Sequence, residues 1–164
     1  MRGNLDTRLK KLHSESLDAI VLAAAGVRRM GLADRITQLL DESVMLPAVG
    51  QGALCIESRE KDPLIQPMVA TLDDLSTRQV VMGERAFLKR LEGGCQVPIA
   101  GHGHIDEKGY TLTGLVCDVD GSHQIKQSRT GPESRNEEIG VELAEALLAL
   151  GAGEILERLN ADAP

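Results

Sequence analysis

The stretch from Ser76 to Leu150 constrains the fold most, because its periodicity changes twice at recognisable boundaries. "STRQVVMGERAFLKRLE" carries Phe87, Leu88 and Leu91 at helical spacing, and the spacing predicts a helix to about Glu92. Ser76 and Gln79 have the separation of a capping box at its start. Lys89 and Arg90 suit its last turn, and Gly93 suits the position after its end. Three extended runs follow, "CQVPIAGHGHI", "YTLTGLVCDV" and "SHQIKQSRT", joined by the hairpin turn signals "DEKG" and "DVDG". Asn136 is placed to cap "EEIGVELAEALLAL", Gly151 closes that helix, and "EILERL" adds a further turn or two. Helix, three-stranded antiparallel meander and helix make a small α+β domain, with a natural cut near residues 73–76.

The front of the chain reads differently. "NLDTRLKKLHSES" has Leu5, Leu9 and Leu12 at helical spacing, with Asn4 as N-cap. "DAIVLAAAG" is a continuous apolar run ended by Gly26, the pattern of a strand buried on both faces of a parallel sheet. "VRRMGL" and "DRITQLLD" follow as short helical pieces, the second with Ile36, Leu39 and Leu40 on one face. Helix, buried strand and helix are expected as an α/β fragment of a doubly wound fold. "ALCIE" reads as a short strand after the glycine loop of "MLPAVGQGALCIESRE". Asp62 caps a helix in "DPLIQPMVATLDD" with Pro63 at its first position, and Pro67 either kinks it or delays its start. A lone buried strand leaves both edges unpaired. A homodimer pairing those edges, another partner, or a longer protein of which this is the back half would cover them.

Composition narrows the function classes. Aromatics are almost absent, with one tyrosine, one phenylalanine and no tryptophan, which removes base-stacking platforms. The net charge of -7, without a basic block, argues against a nucleic-acid surface. No apolar run approaches the roughly 20 residues that cross a bilayer, and "MRGNLDTRLKK" lacks the apolar stretch of a signal peptide. Cys55, Cys95 and Cys117 are odd in number and widely spaced, which suits reduced thiols in a cytoplasmic setting.

Four features carry candidate chemistry. Cys95 follows two glycines in "LEGGCQVPIAG", where its thiol either projects from a hinge or opens a strand as a small apolar residue. Arg2, Arg8, Arg28 and Arg29 gather guanidinium groups in the first 30 residues, suited to carboxylates or phosphates or simply solvated. "AVGQGAL" has only Gly-x-Gly, which falls short of a dinucleotide fingerprint or a P-loop. His102 and His104 share one strand face, with His123 on an adjacent strand, and no metal site is expected of them.

"RGNLDTRLKKL", "DAIVLAAAGVRRMGL", "LPAVGQGALCIE", "ERAFLKRLEGGCQVPIAGHG" and "LTGLVCDVDG" occur in an order and spacing that resemble the porphobilinogen deaminases, or hydroxymethylbilane synthases. The resemblance covers nearly the whole chain. It implies a transferase of tetrapyrrole and heme biosynthesis that joins porphobilinogen units into hydroxymethylbilane with release of ammonia. It also implies a covalent dipyrromethane cofactor, joined by a thioether to the cysteine of the "GGCQ" loop, Cys95 here. By the same match Arg2, Arg8 and Arg29 hold the acetate and propionate groups of the cofactor and growing polypyrrole, Arg28 less certainly, and Gln51 and Gly52 line the cleft. Cys55 and Cys117 match no functional position.

The resemblance further implies that residues 1–46 are the back half of a periplasmic-binding-protein-like second domain. Residues 47–74 would be the return segment completing the first domain, and residues 75–164 the cofactor-bearing third. The family's catalytic aspartate would lie in an N-terminal half, the expected partner of this chain, which alone would be inactive. The alternative is a non-catalytic pyrrole- or polycarboxylate-binding module. A third reading is a stable α+β domain, residues 75–164, joined to a front segment that is poorly ordered or paired between molecules.

Overall fold

The computed structural model describes residues 3–91 and 98–161, so Arg2, Gly93 and Cys95 lie outside the described residues. Two compact units divide between Asp41 and Glu42.

In the first unit, helix α1 (Leu5–Ser14) forms where the leucine spacing predicts it. Asn4 stands at its N-cap with extended backbone and accepts the Arg8 amide through its carbonyl, but its side chain makes no cap bond. The expected buried strand is absent. Residues 17–23 form no regular secondary structure and have no sheet partners, Val21 is exposed, and helix α2 (Ala24–Arg29) takes the end of the apolar run. A strand buried on both faces needs ladder partners for its amides and carbonyls, and none of the described residues supplies them. The doubly wound fragment is therefore not formed in this structure. A single 3₁₀ turn, Ala33–Arg35, replaces the second helical piece.

The second unit holds one sheet, wholly antiparallel, in the order β1 (Ile99–Asp106), β2 (Gly109–Cys117), β3 (Gln124–Gly131). The two predicted hairpins join these strands. "ALCIE" has no regular secondary structure, so the expected strand there is not formed. Helix α3 (Ile65–Ala70) starts two residues after Pro63. Asp62 does anchor it, its Oδ1 accepting from the Leu64 and Ile65 amides at 3.1 Å. Pro67 sits in the first turn, where a missing N–H breaks no helical bond.

Helix α4 (Leu75–Arg90) is capped one residue before it begins: Asp74 accepts from the Thr77 amide at 2.7 Å. The capping box read at Ser76 and Gln79 is thus displaced to Asp74, whose extended backbone aims its short carboxylate at the orphan amides. Helix α5 (Asn136–Ala149) likewise begins at Asn136 rather than after it, and Asn136 Nδ2 donates to the Gln79 carbonyl of α4 at 2.7 Å. Gly151 ends α5 with φ +98, and α6 (Ala152–Ala161) is longer than the predicted turn or two.

Helices α4 and α5 cover one face of the sheet. Residues Tyr110, Leu112 and Val116 of β2 alternate into that face, packing with Phe87, Leu91, Ile139, Leu143 and Leu147. Fully burying side chains of this size stabilises by about 1.5–3 kcal/mol each, so this cluster dominates the fold's free energy. The two helices approach closely because Gly83 faces Gly140, where an added Cβ would collide with the Gly83 carbonyl oxygen. The other sheet face is polar, with hydroxyl pairs Thr111–Thr130 at 2.9 Å and Thr113–Ser128 at 2.8 Å.

Candidate functional site

Loop 47–53 is built by two successive turns, in which the Gln51 amide donates to the Ala48 carbonyl and the Ala53 amide to the Gly50 carbonyl. Both glycines occupy left-handed backbone, φ +71 at Gly50 and +89 at Gly52, which a residue with a Cβ adopts only with strain. No atom lies within 4 Å of the space a Cβ would fill at either glycine, so the backbone is open to a ligand's face.

The loop is pinned to the sheet's free edge. β1 is an edge strand, and its outward amides at Gly101 and Gly103 point away from β2. The Gly101 amide donates to the Pro47 carbonyl at 3.0 Å, and the Gly103 amide donates to Glu84 Oε1 at 2.8 Å. The other oxygen, Glu84 Oε2, accepts from the Gly50 amide at 2.7 Å. Glu84 is 4 % exposed, the one charged side chain buried among the described residues. It therefore joins α4, β1 and the glycine loop through one carboxylate.

A cavity of about 380 Å³ opens beside this junction, lined by Gly50, Gln51, Gly52, Ser76, Thr77 and His102 among others. His102 Nε2 lies 3.2 Å from Glu42 Oε1, and its ring stacks on His104 with centroids 6.4 Å apart. The two histidines share the polar sheet face, as their alternation predicts. His123 lies instead in the β2–β3 turn, 3.3 Å from Asp118. No group of three His, Cys, Asp or Glu side chains among the described residues is arranged to hold a metal. A larger cavity of about 1010 Å³, between the β2–β3 turn and α6, is lined by His123 but by none of the other described residues singled out for their chemistry. Its walls are tied by the Arg158–Asp118 pair at 3.0 Å.

Of the sequence-predicted residues, Gln51 and Gly52 fall on the smaller cavity, whereas Arg8, Arg28 and Arg29 belong to the first unit. Arg8 is half-buried in α1 and its Nε donates to the Gly3 carbonyl at 2.9 Å. Arg28 and Arg29 are exposed in the last turn of α2, which meets α1 where Gly26 passes the Leu5 side chain. Cys117 is half-buried, and burial, then the Asp118 charge, push its thiol above the usual range, the opposite of an activated thiolate. Cys55 is exposed.

Sequence reasoning missed Glu84. Its signal is a charged residue on the apolar stripe of α4, four residues after Val80 and three before the fully buried Phe87.

Residues 1–67 match the family model "Porphobilinogen deaminase, dipyromethane cofactor binding domain", and residues 78–149 match "Porphobilinogen deaminase, C-terminal domain". The porphobilinogen deaminase of Syntrophotalea carbinolica is 49% identical over 160 residues, covering 98% of this chain and 51% of the relative. That of Geobacter metallireducens is 49% identical over 95% of this chain and 49% of its own length. That of a Geobacillus species is 48% identical over 98% of this chain and 51% of its own length. The chain spans about half the length of the curated relatives it matches. No described helix is long and apolar enough to cross a membrane.

Proposed function

Because this chain belongs to the porphobilinogen deaminase family, we propose that it forms the C-terminal portion of a cytoplasmic transferase that makes hydroxymethylbilane from porphobilinogen. Each of four condensations forms one carbon–carbon bond and releases ammonia, and water finally frees the tetrapyrrole. In this reading residues 1–46 complete a second domain, 47–74 return to a first, and 75–164 carry the cofactor cysteine. The observation that carries the reading furthest is the Gly50–Gly52 loop, whose open backbone and neighbouring Gln51 amide suit a flat ring bearing carboxylates.

The residues divide the work by chemistry. Cys95 supplies the soft sulfur nucleophile for a lasting thioether. Arg2, Arg8 and Arg29, with Arg28 beside them, match acetate and propionate groups with guanidinium forks, which bind carboxylates bidentately. Gln51 and Gly52 meet the pyrrole rings. When bound, the dipyrromethane supplies the free pyrrole α-carbon from which chain growth starts.

In this reading the family's catalytic aspartate, which no acidic residue of this chain matches, belongs to an N-terminal half, the partner this chain requires. Many large apolar side chains between Leu17 and Leu72 are exposed, Val21, Leu54 and Met68 among them, and such a surface suits a further protein layer. Residues 1–164 alone are therefore expected to make no hydroxymethylbilane, and addition of the N-terminal half to restore turnover. Intact mass is expected to show a dipyrromethane adduct that disappears in Cys95→Ser. Turnover by the chain alone refutes the requirement for a partner. An adduct that persists in Cys95→Ser refutes the tether, and a purely non-covalent pyrrole complex supports a binding module.

A further inference from the structure

We propose that Glu84 is a positioning residue for ligand binding: its carboxylate, engaged by the Gly50 and Gly103 amides, sets the Gln51–Gly52 loop against β1. This rests on the reading that Gln51 and Gly52 meet pyrrole carboxylates.

The geometry is specific. Glu84 is anchored on α4, the helix whose Phe87 enters the core three residues later. Its two oxygens reach backbone amides 34 and 19 residues away in sequence, Gly50 at 2.7 Å and Gly103 at 2.8 Å. Gly50 directly precedes Gln51, so the hydrogen bond, made through the Val49–Gly50 peptide, fixes the chain one peptide before Gln51. Gly103 is fixed in turn by the β1–β2 ladder, opposite Leu112. The loop is thus referenced to the rigid sheet through one side chain.

A buried carboxylate is a costly way to join three segments, since removal of a charge from water must be offset by strong hydrogen bonds. Apolar packing would hold α4 on the sheet equally well. What the carboxylate adds is two acceptors at fixed separation, which no apolar side chain and no amide provides. In Glu84→Gln one terminal atom is an NH₂ that faces an amide donor with another donor, so one of the two bonds is lost. The shape of the helix contact is retained.

The test uses the full chain and porphobilinogen as the probe. In wild type, titration is expected to shift the Gln51 and Gly52 amide resonances. In Glu84→Gln the same titration is expected to show about tenfold weaker binding, the change that about 1.4 kcal/mol represents. Faster amide exchange should be confined to Gly50 and Gly103, with core amides such as Leu143 still protected. Asn136→Ala, which removes the α5–α4 side-chain bond elsewhere, serves as a control for general loosening and should leave the affinity unchanged. Equal affinity in Glu84→Gln and wild type overturns the proposal, as does an equal loss in Asn136→Ala. If wild type carries the Cys95 adduct but shows no shift at Gln51 and Gly52, the positioning role fails while the family reading stands. If the adduct is also absent, the reading beneath it fails.

Discussion

Residues 3–74 and 75–161 are both rich in aliphatic side chains, yet only the second stretch builds a core. Among the described residues, every buried hydrophobic one except Val27 lies at or after Phe87, whereas Leu54, Leu64, Met68 and Leu72 are each more than half exposed. The difference is one of layers. The back stretch has a sheet with one apolar face and two helices long enough to cover it. The front has short helices of 10, 6 and 6 residues and irregular segments without a sheet. Isolated helices of that length are marginal, and most helical stability comes from a partner surface. Apolar content therefore supplies the driving force for burial, but only regular elements in two layers allow it to be realised without stranded backbone groups.

The sharpest way to break this contrast is a matched pair of truncations. Phe87→Ala removes a fully buried ring and is expected to destabilise the second unit by about 3–5 kcal/mol. Leu54→Ala removes a side chain that is 82 % exposed and is expected to change stability by less than about 0.5 kcal/mol. Urea denaturation of both variants reads the two values. A comparable loss in Leu54→Ala would mean that the front stretch folds against something in the isolated chain.

What was legible from sequence follows the same division. The meander was readable because alternation in "YTLTGLVC" and the turns "DEKG" and "DVDG" are local signals that the tertiary structure reinforces. The strand read into "DAIVLAAAG" failed because a continuous apolar run specifies burial, not its partner, and the described residues contain no neighbouring strand. The Gln51–Gly52 loop was recognisable by resemblance, but its attachment was not. Glu84 meets Gly50 and Gly103 through backbone amides, which carry no residue identity, so only its position among Val80 and Phe87 hints at a buried role. Gly83 and Gly140 were equally silent: their contact is a close helix crossing between residues 57 apart in sequence, with no local motif.

A second, smaller effect distinguishes the packed half by its response to alkali. The Tyr110 phenol is fully buried and donates to the Val80 carbonyl at 3.3 Å. Burial, then the Glu84 charge, raise its pKa well above the ordinary 10.0. The folded state thus favours the neutral phenol, and this contribution is complete below pH 10 and declines as pH rises beyond it, where only the unfolded chain ionises. Tyr110→Phe is expected to cost about 1 kcal/mol at neutral pH through the lost hydrogen bond, and to flatten the decline above pH 10. Cys117, also raised, begins to contribute near its ordinary value of 9.0, so Cys117→Ser separates the two. Urea midpoints across pH 8–11 test this, and an unchanged slope in Tyr110→Phe would assign the alkaline loss elsewhere.

The smallest expected effect lies where the two stretches meet. Asp74 has its pKa lowered from the ordinary 3.8 by the Thr77 backbone amide first and the Thr77 hydroxyl second. A depressed folded value means that the cap stabilises α4 above about pH 4 and is lost as pH falls through the lower folded value. Asp74→Ala is expected to fray the first turn of α4, read as faster exchange of the Thr77 amide with the rest of the helix protected. Asp74→Asn keeps an acceptor and should preserve that protection while removing its acid sensitivity. Ser76→Ala should do neither, because Ser76 already lies inside the helix. If Ser76→Ala frays the turn and Asp74→Ala does not, the capping box at Ser76 and Gln79 is the true start of the packed half.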